Sequence, residues 1–407
     1  MAERYPLWES LTPPSQYGKP ERLAMAAKGT RLQFADGSWA LCATSGLWNV
    51  NLGYGNQAIA EAIAESLTTA SYLTLFRGGH GLAVRAATAL LAVCGADRFG
   101  RVLFSTSGGA GNDAMMKLVR HYQALCGEER RRVVVGLKGS YHGLTYGSFG
   151  LTGEQLGQQV YGVDQRFVRH VDHRDPGELA ALFAREGHRI AAVVVEPVLG
   201  SGAYPVPGPF IEALGALRDE HGFLLVADEV ATGFGRTGRY FASQGWAVRP
   251  DVLITSKSLT NGTCAASAVV VSHEVCDVFE RADSVLVHGE TQAGAPSSCA
   301  AILATIEEMA RLDACALAAG NSLRLDGLVT RLSVHPLVIG HRGTGCFRAV
   351  ELSGRSAEVM AAARRAGVVV QPGPDCIQLV PALTYTAEDF EELEAGITRA
   401  LDEVAGC

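Results

Sequence analysis

The chain has 407 residues, of which 48% are hydrophobic and 19% charged, with a net charge of −7 and a pI near 5.9. That length predicts two or three domains, its apolar lean suits a chain that buries further surface against a partner subunit, and its acidic balance excludes nucleic acid or an anionic membrane as the main partner. No apolar run approaches the roughly 20 uncharged residues that span a bilayer, "MAERYPLWES" has no signal-peptide core, and ten cysteines without a CxxC pair or zinc spacing read as reduced thiols in a cytoplasmic protein.

The first 54 residues read as meandering strands and turns that pack with the C-terminal part. From there to residue 295, apolar runs of strand length recur: "RVLFS" (101–105), "RRVVVGL" (131–137), "IAAVVVEP" (190–197), "GFLLVADE" (222–229), "DVLIT" (251–255) and "AASAVVVS" (265–272). They are nearly continuous rather than alternating, the pattern of strands covered on both faces in a mostly parallel sheet. Helical patterns lie between them, among them 111–127 and 208–222, the latter with Pro209 near its start and Gly222 after its end. The alternation predicts a large α/β domain over 55–295. An Ala-rich helix at 296–312 then leads into a smaller α+β unit reaching residue 407, with a helix around "SAEVMAAARRAG", a strand pair near 368–380 and a last helix from Ala387.

In open α/β sheets ligands bind beyond the carboxyl ends of the strands, so the residues that follow each run are the candidates. After 101–105 comes "STSGGAGND", where free backbone N–H groups of Ser107, Gly108 and Gly109 at a helix start make an anion site suited to phosphate. After 131–137 come Tyr141 and His142, a flat face for an aromatic ligand. Glu196 and Asp228 each follow an apolar strand, where a carboxylate is costly unless something cationic meets it. Lys257 ends "PDVLITSK", and a lysine beyond a core strand either snorkels to water or is a nucleophile whose pKa burial has lowered. A phosphate cradle, a stacking face, a strand-end carboxylate and a strand-end lysine together meet the demands of pyridoxal 5′-phosphate (PLP).

At this point the chain resembles the class III aminotransferases, the fold-type-I PLP-dependent family of ω-amino acid and amine transaminases. The likeness rests on "SGLWNVNLGYGN" (45–56), "DEVATGFGRTG" (228–238), "PDVLITSKSLTNG" (250–262) and "HGETQAGAPSSCAA" (288–301), in the family's order and over nearly the whole length. It implies that Lys257 is the Schiff-base lysine and Asp228 the partner of the pyridine nitrogen. It implies further that Val230 and Tyr141 sandwich the ring with His142 beside it, that Gly108 and Gly109 hold the phosphate, and that Glu196 supports Asp228. Trp48 would line the substrate pocket. Thr291 would reach the phosphate of the neighbouring subunit's cofactor, so a homodimer with shared active sites is implied.

Three positions depart from the family pattern. Gly109 and Ala110 replace the usual small residue and glutamate of the phosphate turn, Ala231 replaces a larger residue near the ring, and Gln378 stands where many members clamp a carboxylate with arginine. Glutamine lacks arginine's charged fork. The expected acceptor is therefore a ketone or aldehyde without an adjacent carboxylate, in secondary metabolism and including a C-terminal ketone on a ribosomal peptide, unless Arg77 or Arg348 takes over the clamp. The same motifs serve aminomutases, racemases and decarboxylating transaminases, which products alone distinguish. A silent PLP-binding interaction protein is opposed by the intact Lys257 and Asp228, and no GxGxxG supports a dinucleotide enzyme.

Overall fold

The computed structural model describes residues 5–406. A seven-stranded sheet organises the middle of the chain, in the order Phe99–Ser105, Ser267–Ser272, Val252–Thr255, Leu224–Asp228, Ile190–Val195, Val133–Leu137 and Val168–Val171. Ser267–Ser272 is antiparallel to both its neighbours, and every other pair is parallel. Six carboxyl ends therefore point to one edge.

Successive residues of a strand face opposite sides, and here both sides are apolar. Val193 and Val195 join Leu182, Phe183, Phe210 and Leu214 of the helices Pro176–Glu186 and Gly208–His221. Ala192 and Val194 instead meet Met115, Leu118 and Val119 of the helix Gly108–Leu125 on the other face. Double burial is the reason these strands read as unbroken apolar runs. Val168–Val171 was not among the runs: it is an edge strand whose Arg169 and His170 are half-buried, so charge interrupts its pattern.

Two further helices, Gln57–Thr69 and Gly81–Cys94, had no clear signature because little of the first is buried (Ile59 and Ser66). Their N-termini are capped by Asn56, accepting from Ile59 N, and by His80, accepting from Ala83 N. Both pack on the helix Pro296–Arg311. The helix Gly108–Leu125 starts three residues earlier than its apolar pattern, since Ser107 caps it by accepting from Ala110 N at 3.1 Å. The glycine-rich stretch is thus the first helical turn.

Three N-terminal strands, Ala24–Lys28, Arg31–Phe34 and Trp39–Cys42, form a sheet whose fourth strand is Val368–Val369 from the far end of the chain. An antiparallel sheet of Val338–Thr344, Phe347–Leu352, Cys376–Leu379 and Gln371–Gly373 stands beside it, with helices Ala314–Leu332, Ser356–Arg365 and Ala387–Ala405. No helix among the described residues is long and apolar enough to cross a membrane.

Candidate active site

Asp228 is the last residue of its strand and is buried. Its Oδ2 accepts from His142 Nδ1 at 2.7 Å and from Asn112 Nδ2 at 2.9 Å, and its Oδ1 accepts from Val230 N at 3.1 Å. Burial lowers the His142 pKa, but the bond to Asp228, with the charges of Asp228 and Glu196, more than offsets this and leaves it raised. His142 Nε2 is buried without a hydrogen-bond partner. Glu196 follows the strand Ile190–Val195 and accepts from Tyr141 N at 2.8 Å and Gly200 N at 3.0 Å. Burial pushes its carboxyl up to about 7, with the charge of His142 opposing and that of Asp228 adding.

Lys257 lies two residues beyond the strand Val252–Thr255 and opens a 3₁₀ turn, with φ +49. A left-handed conformation is uncommon outside glycine and draws notice at a site of chemistry. The side chain is half-buried, and Nζ sits 4.5 Å from the centre of the Trp48 ring. Burial lowers the ammonium to about 8, against the opposing charges of Glu196 and Asp228. The lysine turn is sewn to the N-terminal segment: Ser258 Oγ donates to Trp48 O at 3.0 Å, Leu52 N donates to Asn261 Oδ1 at 3.0 Å, and Asn261 Nδ2 donates to Gly53 O at 3.0 Å.

At the opposite side of Asp228, Gly108 touches Val230: a Cβ on Gly108 would stand 3.1 Å from Val230 Cγ1. Gly109 meets the turn after Tyr141 so closely that a Cβ on Gly143 (φ +126) would lie 2.5 Å from Gly109 Cα. Glycine is required there both for the conformation and for the approach. Ser107 is exposed at the helix start. The N–H groups of Gly108 and Gly109, in the first turn of an 18-residue helix with no acidic residue in that turn, have no intrahelical acceptor and face the end that favours anions.

Gln378 does not present a free amide. Its side chain is buried, and the orientation that satisfies both ends donates to Gly200 O at 3.0 Å and accepts from Gly202 N at 3.1 Å. Arg348 is paired with Asp326 at 2.6 Å and bonds Ser322 at 3.3 Å. Arg77 is exposed, as is Thr291, whose carbonyl accepts from Tyr72 Oη at 2.9 Å. Ala231 is buried beside Trp48. The residues that sequence reasoning missed are Asn112, Ser258 and Asn261, together with Arg236. The last is fully buried, has no carboxylate partner among the described residues, and donates to Asn51 Oδ1 and Pro381 O, burial lowering it to about 10. The "DEV…GFGRTG" motif was the available signal for Arg236, "PDVLITSKSLTNG" for Ser258 and Asn261, and the stretch "STSGGAGND" for Asn112.

These residues fit PLP. Among the described residues Asp228 Oδ1 accepts only the Val230 N–H, leaving room for a protonated ring nitrogen. Among the described residues the phosphate end has donors without acceptors, and Lys257 Nζ makes no hydrogen bond but lies over the Trp48 ring. A mixed sheet covered by helices on both faces, with a lysine, a carboxylate and a helix N-terminus beyond its strand ends, defines the fold-type-I PLP enzymes. The model of the family described as aminotransferase class-III matches residues 14–401. The chain is 30% identical to the omega-aminotransferase of Caulobacter vibrioides, covering 98% of this chain and 97% of that one. It is 33% identical to the acetylornithine aminotransferase of Streptomyces coelicolor, covering 96% and 94%. Among solved structures, an (S)-enantioselective omega-transaminase from Thermomicrobium roseum superposes with a TM-score of 0.92 at 28% identity, over 97% of this chain and 96% of that one. The chain belongs to the class III aminotransferase family, and its cofactor is PLP.

Proposed function

We propose that this transaminase moves an amino group from an amine or amino-acid donor to a ketone or aldehyde that carries no carboxylate beside its carbonyl. The observation behind this reading is the buried amide of Gln378, bonded to the backbone of Gly200 and Gly202 where an arginine fork would otherwise meet a carboxylate. Arg348 is engaged by Asp326. An acceptor of secondary metabolism suits such a pocket, either as a free molecule or as the C-terminal ketone of a ribosomal peptide.

When bound, the cofactor supplies an aldehyde that condenses with amines and a ring that accepts the electron pair left by a departing Cα proton. On this reading the protein's own residues divide the remaining work. Asp228 would hold the ring nitrogen at Oδ1, while His142 and Asn112 hold Oδ2. Val230 and Tyr141 would bound the two ring faces, with Glu196 fixing Tyr141 through its backbone N–H. The N–H groups of Gly108 and Gly109 take the phosphate, and Ser107 anchors that turn as its cap. Lys257, lowered to about 8, would hold the cofactor's aldehyde and would move the substrate's Cα proton at Nζ, as base and then acid. Trp48 walls the substrate side of Nζ. Thr291 completes the phosphate site of a second subunit in a homodimer.

The test is the visible spectrum of the holoenzyme through both half-reactions. Amine donors should bleach the lysine-bound band, and Lys257→Ala should lack that band. Methyl ketones and aldehydes, free or peptide-borne, should restore the band far faster than pyruvate or 2-oxoglutarate. Restoration by the 2-oxo acids at equal or higher kcat/KM would refute the acceptor assignment.

A further inference from the structure

The helix Gly108–Leu125 opens on Ser107-Gly108-Gly109-Ala110, with Ser107 as its cap. A serine cap followed three residues later by glutamate closes a reciprocal box, the carboxylate reaching back to the backbone N–H at the cap. Ala110 stands at that position, and the helix has no acidic residue in its own first turn. A carboxylate reaches this turn from elsewhere in the chain. Glu290, 184 positions beyond Thr106, accepts from Ser105 Oγ at Oε1 and from Thr106 Oγ1 at Oε2, and Thr106 N donates to the same Oε2 at 3.3 Å.

These bonds are what hold the side chain. Among the described residues the one basic group near its carboxylate is His288 Nε2, at 3.9 Å. Ser105 is buried and ends the strand Phe99–Ser105, and on the far side of Thr106 the Ser107 carbonyl accepts from Ser267 Oγ at 2.7 Å. The backbone is therefore fixed at both steps by which it passes from strand to helix. Donors bonded to a carboxylate are held more firmly than by a neutral acceptor. The carboxylate stops short of the cap, so the N–H groups of Gly108 and Gly109 stay free for an anion.

We propose that Glu290 is a positioning residue for the cofactor's phosphate. Its carboxylate, delivered from a remote segment, takes the place of the glutamate missing at Ala110 and sets the direction in which the N–H groups of Gly108 and Gly109 leave the strand. Glu290 itself meets Ser105 and Thr106, not the phosphate. The inference rests on the reading of those two N–H groups as the phosphate donors and concerns the turn of its own chain, independently of Thr291 and of the acceptor.

Comparing PLP with pyridoxal, which lacks the phosphate, tests it on the full-length protein. Retention of each aldehyde during dialysis is followed through the lysine-bound absorption band. Glu290→Ala should release PLP about tenfold faster than wild type while release of pyridoxal stays within about twofold. Glu290→Gln still accepts from Thr106 N and can meet both hydroxyls, so its PLP release should stay within about threefold of wild type. Equal acceleration for both aldehydes would make the contact purely structural. Unchanged PLP release in Glu290→Ala, or release from Glu290→Gln as fast as from Glu290→Ala, would overturn the assignment. Should Glu290→Ala fail to fold, Thr106→Val removes one hydroxyl at constant shape, and a selective loss of PLP of about threefold is expected. A wild type that holds PLP no longer than pyridoxal would instead overturn the phosphate-site reading itself.

Discussion

Burial lowers the Lys257 ammonium to about 8 because the pocket removes its hydration, and the charges of Glu196 and Asp228 restore only part of the loss. A base whose folded pKa lies below its unfolded value of 10.5 contributes full stability only above 10.5. As pH falls from there to about 8 that contribution is lost, and below 8 the deficit stays constant at roughly 3 kcal/mol. In cofactor-free protein, Lys257→Met should therefore gain about 2 kcal/mol at pH 7 and far less near pH 10.5, read from urea unfolding at the two pH values. An equal gain at both pH values would mean that shape rather than charge separates the two side chains. Lys257, Asp228 and Glu196 were legible in the sequence because each ends an apolar run, where a charge needs a reason. Asn112 was not: it is one polar residue near the start of a helix, and its partner Asp228 is 116 positions away.

At the scale of elements, the phosphate end depends on the first turn of the helix Gly108–Leu125 lying flat against the turn after Tyr141. A Cβ at Gly143 would meet Gly109 Cα at 2.5 Å and Ser148 Oγ at 2.6 Å, and φ +126 is itself hostile to a side chain. Gly143→Ala should cost about 3 kcal/mol or more and speed cofactor loss on dialysis. Gly127→Ala is the control: its φ is +81 but a Cβ would meet nothing within 4 Å, so about 1 kcal/mol and unchanged cofactor retention are expected. Equal losses in the two variants would show that conformation alone, not the contact with Gly109, governs the site. The glycine-rich stretch was readable as an anion site, but its packing against Gly143 arises from two turns brought together by the sheet order.

For the whole molecule, exposed apolar side chains gather around the segment that carries Thr291. Tyr72 bonds its carbonyl, the Phe76 ring lies against Gly289, and Leu73, Val285 and Val287 are exposed nearby in sequence. Apolar surface of that kind marks an interface. Under the proposed dimer, sedimentation should give twice the 42.9 kDa of one chain, and Phe76→Asp should shift the protein towards single chains with loss of retained cofactor. A wild-type holoenzyme that sediments as one chain at micromolar concentration would rule the shared site out.

Much of the chemistry is determined by the sequence itself. Which strands are covered on both faces, where they end, and that a lysine, an aspartate and a free helix start stand at those ends are local properties of hydrophobic pattern and turn composition. The tertiary structure decides what those groups meet. Ser258 reaches Trp48 across 210 positions and Asn261 reaches Leu52 across 209, while Gln378 closes on Gly200 and Gly202. Hydrogen bonds of that span depend on how the terminal segments fold back over the sheet, and no periodicity along the chain records it. The left-handed turn at Ser45–Trp48 is the extreme case, since residue preferences there oppose the conformation that the surrounding contacts impose.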